Sequence, residues 1–171
     1  MEVIASFLID HTNLKPGIYI SRQDKIGDNA MFTTYDIRMT EPNQEPAIAP
    51  AALHTIEHLI ATYLRNREGW KEHIIYWGPM GCMTGNYLIL AGAYTPLEIR
   101  DLMIEAYTFV ANYEGEVPGT TPETCGNYLM HDLPMAKWEA QRYIQRLQND
   151  FHSEYARYER PQQDGMVFHD A

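Results

Sequence analysis

His54 and His58 stand four residues apart in the segment HTIEH, with Glu57 between them. Residues at that spacing share one face of a helix, so two imidazoles can reach one cation while a carboxylate stands beside it. Imidazole nitrogen suits Zn²⁺, Fe²⁺ or Co²⁺, and a carboxylate near a bound cation can take up and return protons. The same spacing also arises on amphipathic helices whose histidines only pack or face water. A catalytic centre takes about three protein ligands and leaves a position open, so a third ligand has to come from elsewhere. Cys125, 67 residues after His58 (125 − 58) in a loop beside Gly126, is the candidate. The other cysteine, Cys82, closes the turn Gly78-Pro79-Met80-Gly81. There it either serves as a thiolate general base near a cation or packs as an inert buried thiol.

These groups need elements to hold them. Short β-rich runs at 19–20 and 31–39, separated by Gly27-Asp28-Asn29, predict strands. Pro50 suits a helix start, and apolar residues at helical spacing over 51–67 place HTIEH on that helix, with Gly69 closing it. Runs at 74–75 and 86–91 predict two more strands around the Gly78–Cys82 turn. Thr95-Pro96-Leu97-Glu98 has the form of a capping box ahead of a second helix that reaches about residue 113. A Gly/Pro/Thr loop over 114–124 leads to Cys125, a short strand is expected at 127–130, and a third helix over 134–155. Strands before and between three helices, without regular alternation, predict an α+β fold: one domain over residues 1–160, a mostly antiparallel sheet with three main helices packed on it, and a polar tail at 161–171.

Composition narrows the function. At 171 residues, with 45% hydrophobic and 21% charged residues, the chain has the balance of a folded globular domain. A formal net charge of −10 opposes a phosphate backbone, so nucleic acid is not an expected partner. Nothing resembling a signal peptide or a membrane span is visible, and a cytoplasmic location is expected. In a reducing compartment two isolated cysteines read as ligands, nucleophiles or core thiols.

Five segments together resemble the LuxS family, the S-ribosylhomocysteine lyases: SFxxDHT at 6–12, YDIR at 35–38, HTIEHLIA at 54–61, PMGCMTGNY at 79–87 and CGNYLMHDL at 125–133. They follow the family's order and spacing from residue 6 to about residue 150. The resemblance implies that His54, His58 and Cys125 hold a divalent metal, Fe²⁺ first and Zn²⁺ or Co²⁺ as replacements, in a homodimer with its active sites at the subunit interface. It implies a small sugar thioether as substrate. The carbonyl of the open-chain ribose moves from C1 to C3, Cys82 and Glu57 carry the protons, and β-elimination gives homocysteine and 4,5-dihydroxy-2,3-pentanedione. Ser6, His11 and Arg38 match residues that line the sugar side of the pocket; Arg65, Tyr76 and Gly126 complete the expected substrate contacts.

Two positions depart from the family pattern and mark a divergent member. Tyr76-Trp77-Gly78 replaces the usual DIS, and Thr34 stands where Lys is common. Two charges expected at the amino-acid end of the substrate are thereby missing, which leaves a LuxS-fold isomerase or lyase acting on another sugar or sugar thioether as an alternative. HTIEH also has the H-x-x-E-H order of the inverted zincins, so a peptidase is a further alternative, as is a metal-binding protein without catalysis.

Overall fold

A computed structural model describes residues 8–27 and 30–156. Ser6 and the expected tail at 161–171 lie outside the described residues. Among the described residues four strands form one antiparallel sheet in the order β1-β2-β4-β3. They are β1 (Gly17–Ile26), β2 (Ala30–Arg38), β3 (Ile74–Pro79) and β4 (Gly85–Ala91), and three helices, α1 (Pro50–Asn66), α2 (Pro96–Ala111) and α3 (Leu133–Asn149), share a core with them. The expected α+β class is what the chain adopts.

Side chains alternate across a strand, and that alternation divides the chemistry. In β2, Tyr35 and Ile37 join Leu88 and Leu90 of β4 in the core beneath the helices. Thr34, Asp36 and Arg38 therefore point to the opposite, outer face, with Tyr87 and Ile89 of β4 beside them. α1 turns Leu53, Ile56, Leu59, Ile60 and Leu64 into the core; burying each such side chain contributes about 1.5–3 kcal/mol. His54, Glu57 and His58 occupy the flank of α1 left half-exposed by that packing. The capping box is realised at Thr95 and Glu98, each side chain bonding the other residue's backbone.

Three local expectations are corrected. α3 ends at Asn149 rather than at 155. The chain then runs extended against β1, where the Ile18 N–H donates to the His152 carbonyl at 2.9 Å; Gly17 permits this, since a Cβ there would overlap that carbonyl. Backbone hydrogen bonding to β1 outweighs the weak helix preference of Asn149 and Asp150. Residues 127–130 form a turn, closed by Met130 N–H to the Asn127 carbonyl at 3.0 Å, not a strand. Among the described residues they pair with no strand of the sheet. Gly78 and Pro79 belong to β3 and not to the turn, their partners being Tyr87 and Asn86.

The segment after α3 covers part of the outer face. The Tyr155 ring stacks on Tyr19 with centroids 4.6 Å apart, and its hydroxyl donates to Asp36 at 3.0 Å. Asp36 in turn pairs with Arg38 at 2.6 Å, both side chains almost wholly buried. Such a pair holds its members firmly, because removing one costs about 3–5 kcal/mol by leaving the other charge buried alone. Among the described residues no helix is long and apolar enough to cross a membrane.

Candidate metal centre

The loop between α2 and α3 folds over the half-exposed flank of α1. The Met130 carbonyl accepts from His54 Nδ1 at 2.9 Å, and the Pro118 carbonyl accepts from His58 Nδ1 at 2.8 Å. A carbonyl oxygen has no proton to give, so each Nδ1 carries the hydrogen and each Nε2 keeps its lone pair. This is the oriented tautomer that metal-binding histidines use. Gly119 makes the second contact accessible: its φ of +75° turns the chain, and a Cβ there would crowd His58 Nδ1 at 3.3 Å.

The free Nε2 atoms converge with the Cys125 thiol. The ligand atoms of His54, His58, Cys125 and His131 all lie within 4.8 Å of one another. Cys125 Sγ is 3.5 Å from His54 Nε2, and a tetrahedral site with Zn–N bonds of about 2.1 Å and Zn–S bonds of about 2.3 Å separates those two atoms by ~3.5 Å. Geometry and donor chemistry both fit a divalent ion at this point. The Asn127 N–H, 3.4 Å from Cys125 Sγ, supports a thiolate, as does the turn that replaced the expected strand.

His131 is the residue that the sequence did not single out. Burial, reinforced by the neighbouring His54 and His58, pushes its pKa down to about 4. Its position six residues after Cys125 (131 − 125) inside CGNYLMHDL was visible, but no helical or strand period connects those two residues. The closure of the loop brings it in, through Asp132 N–H bonds to the Ala51 carbonyl at 3.2 Å and to Thr55 Oγ1 at 3.0 Å.

Cys82 and Arg38 form a second group on the other side of the sheet. Cys82 is exposed in the β3–β4 turn, with Sγ 3.0 Å from Thr84 Oγ1 and 3.7 Å from Arg38 Nη1. Burial works against ionisation, but hydrogen bonds to Thr84 and the Arg38 charge outweigh it and hold the thiol below its ordinary value. Replacing Thr84 with valine is therefore expected to raise the Cys82 pKa. Site-resolved iodoacetamide labelling against pH measures it, and a curve shifted to higher pH is the expected result. Among the described residues no hydrogen bond links this group to the histidine cluster.

The remaining residues divide between the two groups. Glu57 and Gly126 adjoin the cluster in sequence, and Arg65 is exposed in the last turn of α1. His11, whose ring bonds the Ile9 carbonyl at 2.9 Å, lies in a loop that Asp10 N–H ties to the Ala156 carbonyl next to Tyr155. It thus belongs to the outer-face side. Tyr76 is 46% exposed and folds over Gly78, where any Cβ would overlap its ring. Thr34 and Tyr76 both pair with Ile89, one from each side, so the two departures from the family pattern share a single row across the sheet. Trp77 does not join them; it is buried against Tyr107 on the core side.

Comparison with known proteins bears on both groups. The model of the S-ribosylhomocysteinase (LuxS) family matches residues 4–154. A protein of Phocaeicola vulgatus named S-ribosylhomocysteine lyase is 59% identical over 144 residues, covering 84% of this chain and 89% of that one. Proteins of the same name from Porphyromonas gingivalis, 56% identical over 84% of this chain and 90% of theirs, and Clostridium acetobutylicum, 52% identical over 87% and 94%, agree. With matches of that length spanning HTIEH, both cysteines and every strand and helix described above, the chain belongs to the S-ribosylhomocysteinase (LuxS) family.

Proposed function

We propose that this chain is an S-ribosylhomocysteine lyase that works as a metal-dependent homodimer. The observation that carries the reading is the convergence of two tautomerically fixed imidazoles and a thiol, beside Glu57, in a chain that also holds a second, easily ionised thiol at Cys82. The names of relatives 52–59% identical to the chain support the substrate. His54, His58 and Cys125 would hold the cation. Two imidazoles and a thiolate suit Fe²⁺, with Zn²⁺ and Co²⁺ as functional replacements.

When bound, the cation supplies a Lewis acid that polarises a carbonyl oxygen and acidifies the neighbouring C–H. The protons are the work of the chain itself. Cys82 Sγ, as thiolate, removes a proton from one sugar carbon and returns it to the next, while the Glu57 carboxylate passes a proton between the adjoining oxygens. Two such rounds carry the carbonyl from C1 to C3. Loss of a proton from C4 then expels the sulfur from C5 as homocysteine, and the enol left behind gains a proton at C5 and loses its hydroxyl proton to become 4,5-dihydroxy-2,3-pentanedione. Every step is an internal redistribution, so no external oxidant or reductant is required.

The distribution of groups supports the dimer. Arg38 lies on the outer sheet face with Cys82 against it, and Glu57 and the cluster lie in the helix layer, so the sheet separates the two halves of one chain's chemistry. A two-fold partner resolves this by supplying the missing half to each site. Ser6, His11 and Arg38 would then contact the sugar from one subunit, and Gly126 and Arg65 from the other, with Tyr76 near the tail. Two free cysteines suit a reducing, cytoplasmic setting, and the net charge of −10 suits a protein without a nucleic-acid role.

The test is direct. Protein loaded anaerobically with Fe²⁺ is expected to release one thiol per S-ribosylhomocysteine consumed, read with a thiol reagent and by mass spectrometry of the dicarbonyl product. No thiol release would falsify the reading. The uncharged row Thr34–Ile89–Tyr76 favours a second reading, a ribosyl thioether without a zwitterionic tail. A higher kcat/KM for S-ribosyl propanethiol than for S-ribosylhomocysteine would select it.

A further inference from the structure

Counting hydrogens at Thr55 fixes the state of His131. Thr55 Oγ1 gives its single proton to the Ala51 carbonyl at 2.9 Å and accepts the Asp132 N–H at 3.0 Å. His131 Nδ1, 3.2 Å from the same oxygen, must therefore be the donor. Nε2 is left with a lone pair, buried and without a partner among the described protein groups. An unpaired buried acceptor is unfavourable, so this atom is suited to meet either a cation or a donor brought by a ligand.

The rings decide between these. Two imidazoles bound through Nε2 to one tetrahedral ion, with bonds of about 2.0–2.1 Å, keep their centres ~5 Å apart. His54 and His58 meet that condition, with centroids 4.7 Å apart and planes at 88°. His58 and His131 also meet it, at 4.8 Å and 74°. His54 and His131 do not: they lie face to face at 4.1 Å and 23°, the geometry of a stack, and His54 is the one already spaced for a shared ion with both His58 and Cys125. His131 stands beside the ligand set without belonging to it.

We propose that His131 Nε2 accepts a hydrogen bond from a sugar hydroxyl of the substrate entering beside His54, His58 and Cys125, an inference that rests on the function given above. Chemistry gives the contact a purpose. At every stage of the carbonyl migration the substrate presents a carbonyl oxygen next to a hydroxyl. Only the hydroxyl can donate to a lone pair, so His131 tells the two adjacent oxygens apart and fixes which of them Glu57 faces. A residue that donated at this point would accept either oxygen and lose the distinction.

The experiment uses full-length Co²⁺-loaded protein with Glu57→Gln to slow turnover, and follows the visible Co²⁺ bands as S-ribosylhomocysteine is added. Adding His131→Leu is expected to leave one Co²⁺ per chain and the resting spectrum unchanged, and to weaken the titration about tenfold, the effect of one lost hydrogen bond. His131→Gln, which keeps an acceptor, is expected to recover binding to within about threefold of the parent. Loss of metal or an altered resting spectrum in His131→Leu would make His131 a ligand and overturn the proposal. An unchanged titration, or a His131→Gln protein as weak as His131→Leu, would overturn it in favour of a packing role. A Glu57→Gln parent with an intact cobalt spectrum that ignores S-ribosylhomocysteine would instead remove the substrate reading on which the proposal stands.

Discussion

Glu57→Gln and Cys82→Ala are each expected to lower turnover of S-ribosylhomocysteine by about 10²–10⁴-fold, the range for loss of one positioned acid or base, with metal content unchanged. Neither residue belongs to the set of three proposed ligands, and neither is part of the core. Glu57 is half-exposed on α1 and Cys82 is exposed in a turn, so both variants should fold. Their defects should differ in kind. Without Cys82 no base reaches carbon, so exchange of the substrate's C2 hydrogen with deuterated water should disappear along with product. Without Glu57 the oxygens lose their proton carrier, and exchange at carbon should outlast product formation. Because Thr84 and Arg38 hold the Cys82 thiol below its ordinary value, activity is expected to fall as the pH drops through that lowered pKa and the thiolate is lost. Thr84→Val should move this acid limb to higher pH. Deuterium exchange measured by NMR on all three variants separates these outcomes, and unaffected turnover in Cys82→Ala would remove the proposed base.

The helix that carries HTIEH was legible because its period is local. Apolar residues three and four apart specify which flank of α1 is buried, and the two histidines with Glu57 are what remains. The strand runs at 31–39 and 86–91 and the capping box at Thr95 are legible for the same reason: propensity and alternation act over a few residues. Cys125 is different. Its distance of 67 residues from His58 says nothing by itself, and the segment CGNYLMHDL carried the assignment through likeness. His131 lies in the same segment, but no local period ties it to the two histidines of α1. What brings it to the cluster is a loop closed by Asp132 and Thr55 and turned by Gly119, a set of long-range bonds with no local signature.

The outer face shows how a correct local reading can still leave a functional inference incomplete. The sequence suggests that Thr34 and Tyr76-Trp77-Gly78 open the substrate's tail pocket by removing charge. Register places Thr34 and Tyr76 on either side of Ile89, so they do act on one surface. Strand alternation, however, sends Trp77 into the core, and Gly78 serves Tyr76 by leaving room for its ring. The departure from the family pattern is therefore a single Tyr76–Gly78 unit facing Thr34, and not three independent changes. Relatives 56–59% identical carry the name S-ribosylhomocysteine lyase, so divergence from the general pattern does not by itself argue for another substrate.

His58→Ala is expected to lose both its metal and all measurable turnover, since it removes one of the three proposed ligands from a site that needs about three. Taken together with Cys82→Ala it gives a sharper result than either variant alone. If each active site joins the histidine cluster of one subunit to the Arg38–Cys82 group of the other, a mixed dimer of the two inactive chains contains one site with both defects and one with none. Random pairing in an equal mixture makes half of the dimers mixed, each with one working site of two. Turnover should therefore return to about one quarter of the wild-type value per dimer in a two-fold assembly. If both halves of the site came from the same chain, every site in the mixture would carry one defect and nothing would return. Co-expression with two different tags isolates the mixed species, whose expected activity is half that of wild type with one metal ion per dimer. The separation of the two groups by the sheet predicts recovery. A mixed dimer with one metal ion and no activity would place Cys82 and the cluster in the same subunit's site, reached around the end of the sheet where the β3–β4 turn and the start of α1 meet through the Ile48 N–H bond to the Met83 carbonyl.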